Sequence, residues 1–171
     1  PGVTIQDWPL MKMSGIIDDI SRGQVSAMKN FKKIIRFLSQ HKMNVYMPYL
    51  EDMFIFSKHP LIGKGRGALM KEEVAELDAY ARQHHVEIIP IFETLGHFEN
   101  ILLKPEYVKY AEFPGATCLN PSSEDTYRLL DEMIGELAEA FSSKNFHMAA
   151  DESWDVGLGA SKERVEKDGL A

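Results

Sequence analysis

Residues 145–152 read Asn-Phe-His-Met-Ala-Ala-Asp-Glu, a short apolar run that ends in two adjacent carboxylates, Asp151 and Glu152. Two acids at the end of a buried strand are costly to desolvate unless they are hydrogen-bonded or used in a reaction. In α/β proteins the carboxyl ends of strands are where reactive side chains stand, so the pair points to an enzyme. Adjacent side chains on an ideal strand face opposite ways. Both acids therefore reach one pocket only if the strand is ending, which fits the Ser153-Trp154-Asp155 sequel and the glycines at 157 and 159. A helix N-terminus, where Asp and Glu complement the dipole, is the competing explanation.

Three further side chains occupy equivalent places. Arg22 closes Asp18-Asp19-Ile20-Ser21-Arg22, and its fork of donors suits sugar hydroxyls or a carboxylate. Asp52 follows Tyr49-Leu50-Glu51, and His97 follows Phe92-Glu93-Thr94-Leu95-Gly96. Singly, each is an ordinary exposed charge or loop residue. Together with the acidic pair they mark the C-terminal ends of four different strands, on one face of the sheet. Trp154 either lines that pocket or packs beneath its loop. His147, inside the last strand, is expected to be packed and hydrogen-bonded, and His84 and His85 to close a helix. Gly63-Lys64-Gly65-Arg66-Gly67 suggests phosphate binding only superficially, since it lacks the Walker spacing. Neither HExxH nor a Ser-centred elbow is present.

Positioning these residues takes four strand-then-helix units. Residues 14–20 read as a short buried strand, followed by a helix over 25–41 with Met28, Phe31, Ile35 and Leu38 on one stripe. Residues 43–50 form a second strand, with pairing expected to end at Pro48, which has no N–H to give. A loop over 51–69 leads to a helix over 71–84, with Val74, Leu77 and Ala81 on one face, and then to a third strand over 86–93. The connection 94–121 is long, as functional loops are. Ser122 is the expected N-cap of a third helix bearing Tyr127, Leu130, Ile134, Leu137 and Phe141. The acidic motif is strand four, and a fourth helix begins at 162–167. Apolar strands separated by amphipathic helices mean a parallel sheet covered by helices. Long loops after strands and short returns after helices are the asymmetry of a (β/α)8 TIM-type barrel, but ~250 residues is typical of the complete barrel. The fold class is thus α/β, the first half of a barrel with about four βα units.

Composition sets outer limits. The 171 residues suffice for one domain, with 44% hydrophobic and 26% charged content of an ordinary globular kind. A formal net charge of −7 argues against a nucleic-acid partner, which calls for a basic stripe. The single cysteine, Cys118, rules out an intrachain disulfide framework and any multi-Cys zinc site. No apolar stretch approaches the ~20 residues that span a bilayer, so no membrane partner is expected. The start, Pro-Gly-Val-Thr, has neither an initiator Met nor the regions of a signal peptide, and reads as an excised or processed piece.

The residues resemble family 20 glycoside hydrolases, the β-N-acetylhexosaminidases, over nearly all of the chain. Ile5-Gln6-Asp7-Trp8-Pro9 is similar to the family's approach to its barrel, so residues 1–13 read as a lead-in from a preceding domain and 14–171 as the N-terminal half of the catalytic barrel. Asp19 to Arg22 matches D-x-x-R, Lys42 to Asp52 the K-x-N and acidic element, Gly96-His97 the G-H element, and His147 to Glu152 the H-x-G-G-D-E signature. The resemblance implies that Glu152 is the general acid and base. It implies that Asp151 orients the substrate's own 2-acetamido group, which attacks to form an oxazolinium with net retention; family 20 is an exception to the two-carboxylate rule. His97, held by Asp52, is implied to tune Glu152, and Arg22 to bind hydroxyls of the terminal sugar.

The implied partner is an oligosaccharide or glycoconjugate ending in N-acetylhexosamine; no cofactor or metal is implied. Departures are Ala149 and Ala150 for glycines, Tyr49 for a His, Glu51 before the acid, and Ser14 where an Arg is common. The family's acetamido-clamping Tyr and pocket Trp residues come from the second half of the barrel, so the chain alone is expected to be inactive. It is also expected to self-associate through its open edge. A non-catalytic carbohydrate-binding relative is the alternative, and a metal-dependent hydrolase using His97, Asp52 and Asp151 a more distant one.

Overall fold

Strands and helices alternate along the chain because its hydrophobic period alternates between near-continuous apolar runs and three-four stripes. A computed structural model describes residues 2–169. Parallel strands β1 (Gly15–Asp19), β2 (Val45–Tyr49), β3 (Glu87–Ile88), β4 (Ile91–Glu93) and β5 (His147–Ala149) form one sheet in the order β1-β2-β4-β5, with β3 also pairing β2. Helices α1 (Met28–Gln40), α2 (Lys71–Gln83) and α4 (Glu124–Ala140) connect them, a short α3 (Glu99–Leu102) lies in the loop after β4, and α5 (Lys162–Asp168) follows β5. These are four βα units of a TIM-type barrel, the third strand being split into β3 and β4.

That split has a chemical cause. In a parallel strand, alternate residues turn their peptide groups to alternate neighbours. Leu50 donates to Ile91 at 3.0 Å and Ile89 donates to Tyr46 at 3.0 Å, so Pro48 is directed at the same neighbouring strand, opposite Ile89-Pro90. Its missing N–H interrupts the ladder there. Pairing does not end at Pro48 as expected: β2 runs on to Tyr49, because the other edge pairs Asp18 with Pro48 and Asp19 with Tyr49.

The two faces of the sheet differ. Tyr46, Ile88 and Phe92 pack with Phe31, Ile35 and Leu38 of α1 and Val74, Leu77 and Ala81 of α2 in the main core. The alternate residues Tyr49, Ile91 and Ala149, with Met47 against them, form a small second cluster on the inner face of the half-barrel. Among the described residues nothing closes over that face, and the edge strands show it. Ile17 is 64% exposed, and β1 is mostly exposed rather than buried as expected. His147, expected to be packed, is likewise exposed on the edge strand.

The loops are better packed than their composition suggests. Phe54, Phe56, Phe92 and Phe98 stack edge to face in series, at centroid separations of 4.9, 6.0 and 6.0 Å, beneath the loops that follow β2 and β4. In α4 the core-facing residues are Thr126, Leu129, Met133, Leu137 and Ala140, a face turned from the expected stripe, and Tyr127 is exposed. Its N-cap is Ser123 rather than Ser122, with the Ser123 hydroxyl accepting from the Asp125 amide at 3.3 Å.

Candidate functional site

Four of the side chains singled out in the sequence meet above the C-terminal ends of the strands. Asp151 lies two residues past Ala149 and Glu93 two past Ile91, so strand alternation carries both to the inner face. Beyond β5 the chain turns, and Glu152 adopts the left-handed region with φ of 50°. That conformation brings two adjacent acids to one imidazole: His97 Nε2 stands 3.3 Å from Glu152 Oε2 and 3.8 Å from Asp151 Oδ2. His97 is itself left-handed, with φ of 55°. Two non-glycine residues held this way, facing each other, are the kind of local strain found at working sites.

Arg22 completes the group. Its Nη1 donates to Asp19 at 2.9 Å, and its Nη2 lies 3.1 Å from His97 Nδ1 and 3.4 Å from the Tyr49 hydroxyl. The Asp19 to Arg22 spacing thus has a direct meaning: the acid, itself fixed by the Ser21 amide and hydroxyl, aims the guanidinium. Burial opposes ionisation of Asp19, but the Ser21 bonds and Arg22 outweigh it and hold the carboxyl below its ordinary range.

Asp52 does not join them. It is fully buried, and its Oδ2 faces Arg66 Nε at 2.8 Å in a contact that lacks hydrogen-bond directionality. Burial pushes its carboxyl up, and Arg66 counteracts this only in part. The expectation that Asp52 holds His97 is therefore corrected: the acid is buried, and Arg66 reaches it from the glycine-rich loop. Arg66 also donates to the Ser21 carbonyl at 2.7 Å, so that loop braces a strand end. Trp154 is 77% exposed, which excludes packing beneath its loop. Its amide donates to the Glu152 carbonyl at 2.8 Å.

The sequence reading passed over Glu93. It ends β4 just as Asp151 follows β5, so the positional argument that chose the others applied to it as well. Glu93 is 1% exposed, and neither carboxyl oxygen has a hydrogen-bond partner among the described residues. Burial pushes its carboxyl up to about 7; the nearby Tyr49 hydroxyl pulls it down, Asp151 adds to the rise, and His97 and Arg22 oppose it.

Glu93, His97 and Asp151 each offer one ligand atom, all within 4.8 Å of one another. A metal-bound imidazole normally gives its other N–H to an acceptor. Here Nδ1 faces a guanidinium that only donates, so the donor set does not suit an ion at Nε2.

Two clasps hold the loops around this group. Asp155 accepts from the Thr117 amide at 2.7 Å, the Thr117 hydroxyl at 2.9 Å and the Cys118 amide at 3.2 Å. The buried Glu112 accepts from the Ser161 amide at 3.0 Å. A cavity of about 580 Å³ lies elsewhere, lined by Asn44, Arg82, His85 and Lys144 among others. Asp151 and Glu152 instead stand open, their side chains 68% and 58% exposed.

Comparison with known proteins identifies the family. Residues 13–168 match the model of "Glycosyl hydrolase family 20, catalytic domain". The chain is 28% identical over 181 residues to a chitooligosaccharidolytic beta-N-acetylglucosaminidase of Bombyx mori, covering 94% of this chain and 30% of that protein. It is 32% identical over 114 residues to hexosaminidase D of Bos taurus, covering 64% of this chain and 32% of the relative. Among solved structures, the chitobiase of Flavobacterium johnsoniae superposes with a TM-score of 0.85 at 24% identity, over 96% of this chain and 28% of that one. The chain thus spans about a third of the length of these relatives.

Proposed function

The chain belongs to glycosyl hydrolase family 20, and from that premise we propose that it supplies one wall of a retaining exo-β-N-acetylhexosaminidase site. Residues 14–171 are the N-terminal half of the catalytic barrel, and 1–13 lead in from another domain. One observation carries the reading: a single imidazole, His97, reaches both acids of the pair, at 3.3 and 3.8 Å.

In this reading Glu152 protonates the leaving glycosidic oxygen and then activates water. Asp151 orients the 2-acetamido group, whose carbonyl oxygen attacks the anomeric carbon to give an oxazolinium. Because the nucleophile belongs to the substrate, the two carboxylates need not flank the sugar, and adjacent residues serve. Arg22 binds sugar hydroxyls, Trp154 offers an exposed aromatic face to the sugar, and His97 orients Glu152. Ala149 is buried on the inner face against Tyr49 and Ile91, and both acids stay exposed beside it.

The substrate class is a glycan with terminal β-linked N-acetylglucosamine or N-acetylgalactosamine. The half-barrel alone is inactive, and its bare inner face and edges make it self-associate, which sedimentation of the 171-residue chain would reveal. The test is hydrolysis of 4-nitrophenyl N-acetyl-β-glucosaminide and its galacto counterpart by protein carrying this chain within a complete barrel. Turnover should be lost in Glu152→Gln, and the matching glucoside without the acetamido group should not react. Undiminished turnover in Glu152→Gln, or equal turnover of the plain glucoside, would overturn the assignment. Hydrolysis by the isolated chain would refute the inactivity of the half.

A further inference from the structure

The proposed role of Arg22 toward sugar hydroxyls does not account for where its guanidinium rests. Nη2 is 3.1 Å from His97 Nδ1. A guanidinium has five N–H donors and no acceptor, whereas a neutral imidazole has one donor nitrogen and one acceptor. The contact is therefore an N–H of Arg22 donating to the lone pair of Nδ1, and the ring's single proton lies on Nε2. Nε2 is the nitrogen that faces Glu152 Oε2 at 3.3 Å and Asp151 Oδ2 at 3.8 Å, and carboxylates accept.

We propose that Arg22 is a positioning residue for His97: by donating to Nδ1 it fixes the tautomer and rotation of the ring, so that Nε2–H is aimed at Glu152. The donor is itself held by two residues, Asp19 and Tyr49. Asp19 Oδ2 holds Nη1 at 2.9 Å, the Tyr49 hydroxyl lies 3.4 Å from Nη2, and the guanidinium carbon sits 5.1 Å from the centre of the Tyr49 ring. Asp19 is fixed in turn by the Ser21 amide and hydroxyl at 2.9 and 2.7 Å. The charged and titratable groups around His97 are thus Arg22 after β1, with Tyr49 of β2 behind it, Glu93 at the end of β4, and Asp151 and Glu152 after β5. Among the described residues Arg22 alone meets Nδ1, and the acids lie on the Nε2 side of the ring. The orienting partner of this histidine is a cation that donates, where a carboxylate would accept and select the opposite tautomer.

The inference builds on the reading of His97 as the neighbour of Glu152, but its test needs no turnover. Ring nitrogen shifts and one-bond N–H couplings of His97 are measured by NMR on 15N-histidine-labelled protein carrying this chain within a complete barrel, in wild type and in Arg22→Met. The wild type should show one ring N–H, on Nε2, with the Nδ1 resonance displaced by hydrogen-bond acceptance. Arg22→Met should lose that displacement and let the tautomer ratio relax toward that of a free imidazole. Asp19→Ala, which frees the guanidinium without removing it, should give a smaller change in the same direction, and it serves as the second variant if Arg22→Met does not fold. A wild-type proton on Nδ1 would overturn the proposal, as would ring resonances that neither substitution moves. Failure of the hydrolase assay would leave these resonances unaffected, so the two readings fail separately.

Discussion

Gly96 lies against the acidic turn so closely that a Cβ built on it would sit 2.4 Å from the backbone oxygen of Asp151. The loop bearing His97 and the loop bearing the acids therefore touch through backbone. Real Cβ atoms do not approach an oxygen that closely, so any side chain at 96 must push the two loops apart. Gly96→Ala should cost about 1–3 kcal/mol of stability through overpacking. In the complete enzyme it should lower kcat about 100-fold, the scale of a 1 Å misplacement of reacting groups. Wild-type kinetics in the variant would contradict this contact.

Glu93 makes stability depend on pH in an unusual direction for a carboxylate. Its folded value is raised from 4.5 to about 7. Within that window the folded chain holds a proton that the unfolded chain has released, so stability falls as pH rises and is lowest above it. The penalty above the window is on the order of 3 kcal/mol for a fully buried group. Glu93→Gln should remove the slope and be more stable than wild type at pH 8. Urea unfolding at pH 5 and pH 8 reads this directly, and parallel pH profiles for the two proteins would count against it.

Asp155 behaves in the opposite sense. Burial disfavours its charge, but the bonds from Thr117 and Cys118 outweigh that and lower its carboxyl value. Its contribution is present above the unfolded value and is lost as pH falls through the folded one. Asp155→Asn should cost about 1.5–3 kcal/mol, the range for hydrogen bonds to a charged group. Amide exchange at Thr117 and Cys118 should quicken first; protection that persists there would show that the clasp is dispensable.

Arg66 is the counter-charge of a fully buried acid. Arg66→Met should destabilise the chain by about 3–5 kcal/mol, because Asp52 is left buried and uncompensated. Combining it with Asp52→Asn should recover a large part of the loss. A single variant as stable as wild type would show that the 2.8 Å contact contributes nothing.

Much of this fold is legible in the amino-acid sequence. The stripe Phe31, Ile35, Leu38 and the face Val74, Leu77, Ala81 are buried as their spacing requires. A three-four period has one low-energy way to cover a sheet. The α4 face was harder, because that helix is apolar on more than one side and only its neighbours decide which side is innermost. Pro48 misled for a related reason: proline forfeits one hydrogen bond, and whether a strand ends there depends on which neighbour that bond would have served.

The sequence alone determined the βα alternation, the placement of Arg22, His97, Asp151 and Glu152 at strand ends, and the family resemblance they carry. These follow from local period and residue type. Tertiary structure decided which side chains meet. It set Arg22 rather than Asp52 beside His97, sent Asp52 to Arg66, buried the Glu93 carboxyl, and left Ile17 and His147 bare on an unclosed face. Such pairings depend on strand order, on which way a packed loop turns and on what covers each face, and those are set by contacts between residues far apart in the chain.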